Sequence, residues 1–245
     1  MCSPSLTRGV ALACLLAAAP YASASGLQVA PTSLTLAPGG PAQALWLTNT
    51  GDHELHAQVR AYRWSQASGH DELEPTQALL ASPPMLNVPP GGRQLVRVIR
   101  TSEPAAAPGE QAFRVLVDEL PIDSGSKDAK QTGVQYVLRY SVPVFVGTSG
   151  TPSLSWSTAV DHEGLKLEVR NSGGAHAQIT GLGISQPGSA PVELVPGLLG
   201  YVLPGATMHW TVALPAGTST ANASLKALIN GESTDQTLSP GAPAR

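Results

Sequence analysis

From Leu27 onward, apolar and polar positions alternate in short runs, each closed by a cluster of turn-forming residues, and the repeat is two rather than 3.6. Leu34 and Leu36 alternate before Pro38-Gly39-Gly40-Pro41, and Ala44-Leu45-Trp46-Leu47 runs into the turn Asn49-Thr50-Gly51-Asp52. Residues 57–64 set small or apolar side chains against polar ones position by position, as a strand with one buried face does. A turn at Ser68-Gly69 follows, with His70, Asp71 and Glu72 read as a hydrophilic loop. Alternation returns at 86–88, at 94–100 after Pro89-Pro90-Gly91-Gly92, and at 112–117. These segments predict strands joined by turns.

A polar stretch over 122–133 precedes the longest apolar stripe in the chain: Val134, Tyr136, Leu138, Tyr140, Val142, Val144 and Val146, all at even positions. Val137 and Phe145 stand among Gln135, Arg139 and Ser141 on the other side, so this strand offers apolar groups to both faces while closing a domain. A second set of strands starts at Leu154-Ser155-Trp156. It continues through 165–170 and 177–179, which flank Asn171-Ser172-Gly173-Gly174, and through Trp210-Thr211-Val212 after Pro204-Gly205. The predicted organisation is a leader over 1–24, a first domain over 25–147, a linker over 148–152 and a second domain over 153–245, ending in a frayed Ser239-Pro240-Gly241-Ala242-Pro243 tail. No repeat shorter than a domain is visible.

Composition sharpens this to an all-β class. With 25 Gly and 22 Pro in 245 residues, punctuation is too dense for long helices. Charged residues are 13% of the chain and the formal net charge is −3, which argues against nucleic acid or an anionic membrane surface as partner. At the N-terminus, Arg8, the apolar run 10–19 and the small residues Ala22-Ser23-Ala24 form the pattern of a secretory signal peptide, with cleavage expected after Ala24. Cys2 and Cys14 both fall inside that leader, so the exported chain is predicted to carry no disulfide. A lipoprotein reading of Cys14 is weaker, because the apolar run continues past it to a later cleavage pattern.

Candidate chemistry is thin. His53, Glu54 and His56 sit beside a turn, and Asp161-His162-Glu163-Gly164 reads as a hairpin turn; neither these nor 70–72 has a convincing metal-ligand spacing. No G-x-S-x-G elbow, phosphate loop or dinucleotide fingerprint appears. The sequence therefore predicts no catalytic activity, no cofactor, no metal and no small-molecule substrate. Trp46, Trp64, Trp156 and Trp210 are read as core or corner residues.

Several stretches together resemble a known family, the PapD-like periplasmic pilus chaperones, and within it the archaic branch that serves spore-coat-U-like subunits. They are 31–36 (PTSLTL), 47–52 (LTNTGD), 57–69 (AQVRAYRWSQASG), 73–100, 110–121 (EQAFRVLVDELP) and 138–147 (LRYSVPVFVG), with weaker likeness at 165–184 and 200–212. The resemblance implies two immunoglobulin-like sandwiches set at an angle with a cleft between them. It also implies a periplasmic role: the last strand of the first domain is lent to a pilus subunit that lacks its own final strand, and the subunit is then delivered to the outer-membrane usher. On that register Val134, Tyr136, Leu138, Tyr140 and Val142 point into the subunit groove; alternatively the stripe packs on the chain's own core and Val137 with its odd-numbered neighbours faces outward. Better-known members hold the subunit's C-terminal carboxylate with an Arg and a Lys, whose positions here are Ser33 and Ser141. A buried carboxylate still needs a cation or several donors, and Arg114, Arg139 and Arg97 are the replacement candidates. A secreted pilus subunit or adhesin is the alternative function, and a glycan-active enzyme on a sandwich scaffold is a more distant one.

Overall fold

The computed structural model describes residues 26–37, 40–101, 109–121, 137–147, 150–186, 188, 190–218 and 223–237. Among them are strands only, with no helix. The first ten are β1 (Leu27–Ala30), β2 (Leu34–Leu36), β3 (Ala42–Asn49), β4 (Leu55–Ala67), β5 (His70–Pro75), β6 (Leu79–Ser82), β7 (Met85–Val88), β8 (Arg93–Arg100), β9 (Gln111–Leu120) and β10 (Arg139–Val146). The remaining seven are β11 (Leu154–Asp161), β12 (Gly164–Asn171), β13 (Ala177–Ser185), β14 (Val192–Val202), β15 (Thr207–Val212), β16 (Ser224–Ile229) and β17 (Glu232–Thr237).

The first ten strands form two sheets, ordered β1-β3-β8-β6 and β2-β10-β9-β4-β5, with β7 also paired to β4. Alternation explains how they pack. Leu45 and Leu47 of β3 and Val96 and Val98 of β8 enter the same core as Val59 of β4, Phe113, Val115 and Val117 of β9 and Val142, Val144 and Val146 of β10. Each such side chain removed from water stabilises the domain by about 1.5–3 kcal/mol. β11-β12-β15 and β14-β13-β16-β17 make the second sandwich around Leu165, Leu167, Val169, Ile179, Leu182 and Leu225.

The opening segment changes sheets. β1 pairs antiparallel with β3, whereas β2 lies parallel to β10 in the other sheet, from Leu34 opposite Val144 to Leu36 opposite Val146. Pro31, which has no N–H to offer a ladder, stands at the break. The alternation of Leu34 and Leu36 signalled the strand but could not signal which sheet it joins.

Both sandwiches carry the same polar device. Asn49 is buried, and its side chain donates to the carbonyls of His53 (2.7 Å) and Val88 (2.9 Å) while accepting from Gly51 N (2.9 Å). Asn171, also buried, donates to Ala175 (2.8 Å) and Val202 (3.0 Å) and accepts from Gly173 N (2.9 Å). The backbone repeats the match, with Asn49 N donating to Gly92 O and Asn171 N to Ala206 O, both at 2.9 Å. Each asparagine thus closes its own turn and ties it to a distant Pro/Gly turn, satisfying groups that burial would otherwise leave unpaired.

One expectation fails. His70, Asp71 and Glu72 lie in strand β5, paired to Gln66, Ser65 and their neighbours on β4, not in a loop. Every residue of β5 is exposed, so no face is buried and no alternation betrays the strand. Asp161 behaves as expected: its carboxylate accepts from the backbone of Glu163 (2.9 Å) and Gly164 (3.2 Å), forming the β11–β12 hairpin turn.

Candidate functional site

β10 lies between β9 and β2, but β2 covers only Val144 to Val146. Among the described residues no strand pairs with the outer edge of Arg139 to Pro143. Two hydrogen bonds fix which groups point outward. Glu119 N donates to Leu138 O at 2.9 Å, so even-numbered backbone groups face β9; Gly147 N donates to Leu36 O at 3.1 Å, so odd-numbered ones face away from it. The N–H and C=O of Arg139 and Ser141 therefore lie along an open edge. Pro143 occupies an outward-facing position too, where a missing N–H costs the β9 ladder nothing.

Side chains divide the same strand by face. Val142 is 3% exposed within the first domain's core, and Leu138 and Tyr140 are partly buried against that core. The Tyr140 hydroxyl donates across the sandwich to Leu27 O at 2.6 Å. Val137, by contrast, is 52% exposed. Over 138–142 the even stripe is thus engaged by the chain's own sandwich, and the expectation that Val142 reaches into a subunit groove is corrected: the opposite sheet already fills the space around it. Val134 and Tyr136 lie outside the described residues.

The face bearing Arg139 and Ser141 continues across β9 and β4 and is divided in two. At one end Trp64, Ala112 and Phe145 are sealed into the second sandwich's core. Phe145 stacks on His176 with ring centroids 3.4 Å apart and planes 2° from parallel, while Trp64 meets Tyr201 edge-on at 5.5 Å. Polar groups lock the same interface. The Gln66 amide donates to Tyr201 O (2.9 Å) and accepts from Leu203 N (2.8 Å). The Glu110 carboxylate, 4% exposed, accepts from His176 N at 2.9 Å and lies 2.8 Å from its Nδ1. At Gly69, whose φ is +78°, a Cβ would overlap the His209 ring from β15.

Arg114 stands where the covered part of this face ends. Its guanidinium carbon lies 3.7 Å from the centroid of the Trp64 ring and 5.2 Å from that of Tyr201, and its nearest carboxylate, Asp71, is 3.8 Å away. Burial pushes the guanidinium below its ordinary value, with Asp71 and Tyr201 opposing that shift. Among the described residues it makes an aromatic stack and one long ion pair, leaving most of its planar donor fork uncommitted.

Arg139 is placed differently. It is bound to Asp118, directly opposite it on β9, and Asp118 also accepts from Arg60 of β4 at 2.6 Å. Burial pushes the Asp118 carboxyl up, but hydrogen bonds from Arg60 and Arg139 outweigh it and hold the group below the usual carboxylate range. Arg97 is on the other sheet altogether, exposed on β8 beside Ala44 and Ser82. The three candidate anchors therefore do not converge. Sequence reasoning missed Asp118, Gln66, Glu110 and His176; each is an ordinary polar strand or turn residue until a distant partner is known.

The sequence matches the family described as "Pili and flagellar-assembly chaperone, PapD N-terminal domain" over residues 26–151. This chain belongs to that family. The fold agrees over nearly the whole length of solved chaperones. The CsuC–CsuE chaperone–tip adhesion subunit complex of archaic Csu pili from Acinetobacter baumannii is matched at TM-score 0.65, with 20% identity over 88% of this chain and 99% of that one. The CupB2 chaperone of Pseudomonas aeruginosa gives 0.58, with 17% identity over 86% and 100%. The Salmonella enterica SafA pilin–SafB chaperone complex gives 0.58, with 13% identity over 88% and 97%. A search of curated proteins finds no match. The chain is an all-β pilus-assembly chaperone, and the pilus-subunit alternative is not favoured. Against the family's usual pair of basic anchors, Ser33 and Ser141 are both exposed, the first just before β2 and the second on the open edge of β10.

Proposed function

We propose that this chaperone works in the bacterial periplasm, reached by removal of residues 1–24, and holds spore-coat-U-like pilus subunits until an outer-membrane usher takes them. The observation that carries the reading is the open edge of β10 at Arg139 and Ser141. An incomplete subunit sandwich adds its strand there, gaining backbone hydrogen bonds from the outward-facing groups. Subunit and chaperone then share one continuous sheet. The subunit's open core lies over the face that carries the even stripe, so Val134 and Tyr136 enter it, Leu138 and Tyr140 mark the junction, and Val142 remains in the chaperone's own core. Residues 25–147 supply this edge, and residues 153–245, joined through 148–152, cover one end of the binding face.

The subunit's terminal carboxylate is assigned to Arg114, whose uncommitted, partly desolvated guanidinium favours a bidentate anion. Arg139, bound to Asp118, and Arg97, on the far sheet, are less suited. No catalytic step, cofactor or nucleic acid enters this reading.

The test is co-expression in a bacterial periplasm with candidate spore-coat-U-like subunits, comparing the native chain with a Val134→Asp, Tyr136→Asp variant. Recovery of a one-to-one soluble complex with the native chain alone is the expected result. Equal recovery with the variant overturns the assignment of the donor side chains, and no recovery with either overturns the chaperoning of such subunits.

A further inference from the structure

The hold of the first domain on β10 weakens from its C-terminal to its N-terminal end. Val144 to Val146 are paired on both edges and buried. Residues 138–140 are paired on one edge only, and the strand there is held by side-chain contacts from both faces. On the core side, Tyr140 reaches Leu27 O and the Glu119 carboxylate accepts from Leu138 N at 3.1 Å. On the outer side, Arg139 is bound to Asp118, which Arg60 holds in turn.

Three features make Asp118 the centre of the outer contact. It is opposite Arg139 at a position where the two backbones exchange no hydrogen bonds, the arrangement that brings cross-strand side chains closest. Its side chain is only 10% exposed, against 41% for Arg60 and 64% for Arg139, so the carboxylate is fixed while the flexible cations fold onto it. It also spans three strands, linking β4 through Arg60 to β10 through Arg139, with β9 between.

We infer that Asp118 is a positioning residue for subunit capture: it holds the open edge of β10 straight before a subunit arrives, without touching the subunit itself. The inference rests on the donor-strand reading above. A strand that must be ordered during encounter captures more slowly, because only the ordered fraction is competent; once a subunit strand is added, the new ladder holds β10 in place. Loss of Asp118 therefore slows association and leaves dissociation nearly unchanged. Asp118→Asn keeps the shape but leaves Arg60 and Arg139 facing each other across a neutral amide.

The experiment measures capture of a spore-coat-U-like subunit that co-expresses with the native chain as a soluble complex, diluted from denaturant into native chaperone, Asp118→Asn, Arg139→Gln, the double variant and Arg60→Gln, the last as a variant that leaves β10 itself untouched. Amide hydrogen exchange of each free chaperone is followed in parallel. The expected result is association slowed about tenfold for Asp118→Asn, dissociation within about twofold of native, and the double variant no slower than either single one. Exchange should accelerate at the β9-facing amides of Leu138, Tyr140 and Val142 and stay native in β3 and β8, and Arg60→Gln should move both readouts the same way by less. If the native chain captures the subunit and Asp118→Asn captures it equally fast, or if exchange at Leu138, Tyr140 and Val142 is unchanged, the inference is overturned while the donor-strand reading stands. If the native chain captures nothing, that reading fails and the inference falls with it.

Discussion

A pair of proline substitutions one residue apart should have opposite consequences, because the backbone of β10 faces β9 at even positions and, from Arg139 to Pro143, open solvent at odd ones. Ser141→Pro deletes an outward N–H, breaks no bond to β9 and removes an exposed side chain. Its cost to the free chaperone should stay within about 1 kcal/mol, as for proline on other strand edges. For an incoming subunit strand the same change removes one hydrogen bond and places a ring against the approaching backbone, worth about 1–3 kcal/mol, or about 10- to 100-fold in affinity. Tyr140→Pro instead breaks the ladder to Val117, at about 3 kcal/mol or more. It also loses the hydroxyl bond to Leu27 and the packing of a half-buried ring, each about 1–2 kcal/mol. The sum of about 5–7 kcal/mol is comparable with the whole stability of a small domain and corresponds to a melting point lower by about 20 °C or more. Thermal denaturation followed by circular dichroism, with subunit capture scored by gel filtration, separates the two effects. Ser141→Ala, which keeps the N–H, should capture like the native chain. If Ser141→Pro melts as low as Tyr140→Pro, or captures as well as Ser141→Ala, then the outward edge is not the one argued here.

Arg114→Met, which retains stem and stacking bulk but not charge, should weaken subunit binding by about 10- to 100-fold with little change in melting; unchanged binding would remove Arg114 as carboxylate anchor. Asn49→Ala and Asn171→Ala should each cost about 2–4 kcal/mol in urea denaturation, because each removes one buried and at least two part-buried side-chain bonds to the backbone; values below about 1 kcal/mol would mean water replaces the side chain. The Asp118 carboxyl is lower in the folded chain than its unfolded value of about 3.9, so its stabilisation is complete above that value and disappears as pH falls through the folded one. Native and Asp118→Asn stability should accordingly run parallel well above the unfolded value and converge as pH falls below it, and curves parallel throughout would show that the carboxylate's contacts with Arg60 and Arg139 contribute no net stability.

The sequence made legible what depends on local pattern. Alternation placed β3, β4, β8, β9, β10 and β12, the Asn/Gly clusters marked their turns, and the stripe ending at Val146 located the strand that carries the open edge. Features without a local signature were not legible. β5 projects beyond the core and is exposed on both faces, so its polar start looked like a loop. β2 reads like any short strand until its parallel pairing with Val144 to Val146 shows where the open edge of β10 stops. The anchor candidates failed for a related reason: Arg97, Arg114 and Arg139 are all strand arginines in sequence, and only sheet membership separates one on the far face from one stacked on Trp64 and one already bound to Asp118. One signal was available and unused. Asn-Thr-Gly at 49–51 and Asn-Ser-Gly at 171–173, each matched to a later Pro-Gly turn, mark the two sandwiches as versions of one plan.

The way β10 is held connects the fold to its use. A long apolar edge strand invites pairing with any exposed strand, and proteins ordinarily shorten, charge or cover such edges. Here the cover is partial and graded. Toward its end the strand is paired on both sides, and Phe145 is stacked on His176 of the second sandwich, so its direction is set by both domains together. Toward its start the outer pairing stops, Pro143 marks the transition, and Arg139 brings charge to the open stretch while being held by Asp118. Moving β2 two or three residues earlier along β10 would close this edge and remove the liability, and with it the stretch to which the proposed subunit strand adds. Starting β2 at Leu34 fixes Val144 to Val146 on both edges and leaves Arg139 to Pro143 open on one, the combination that the proposed strand addition needs.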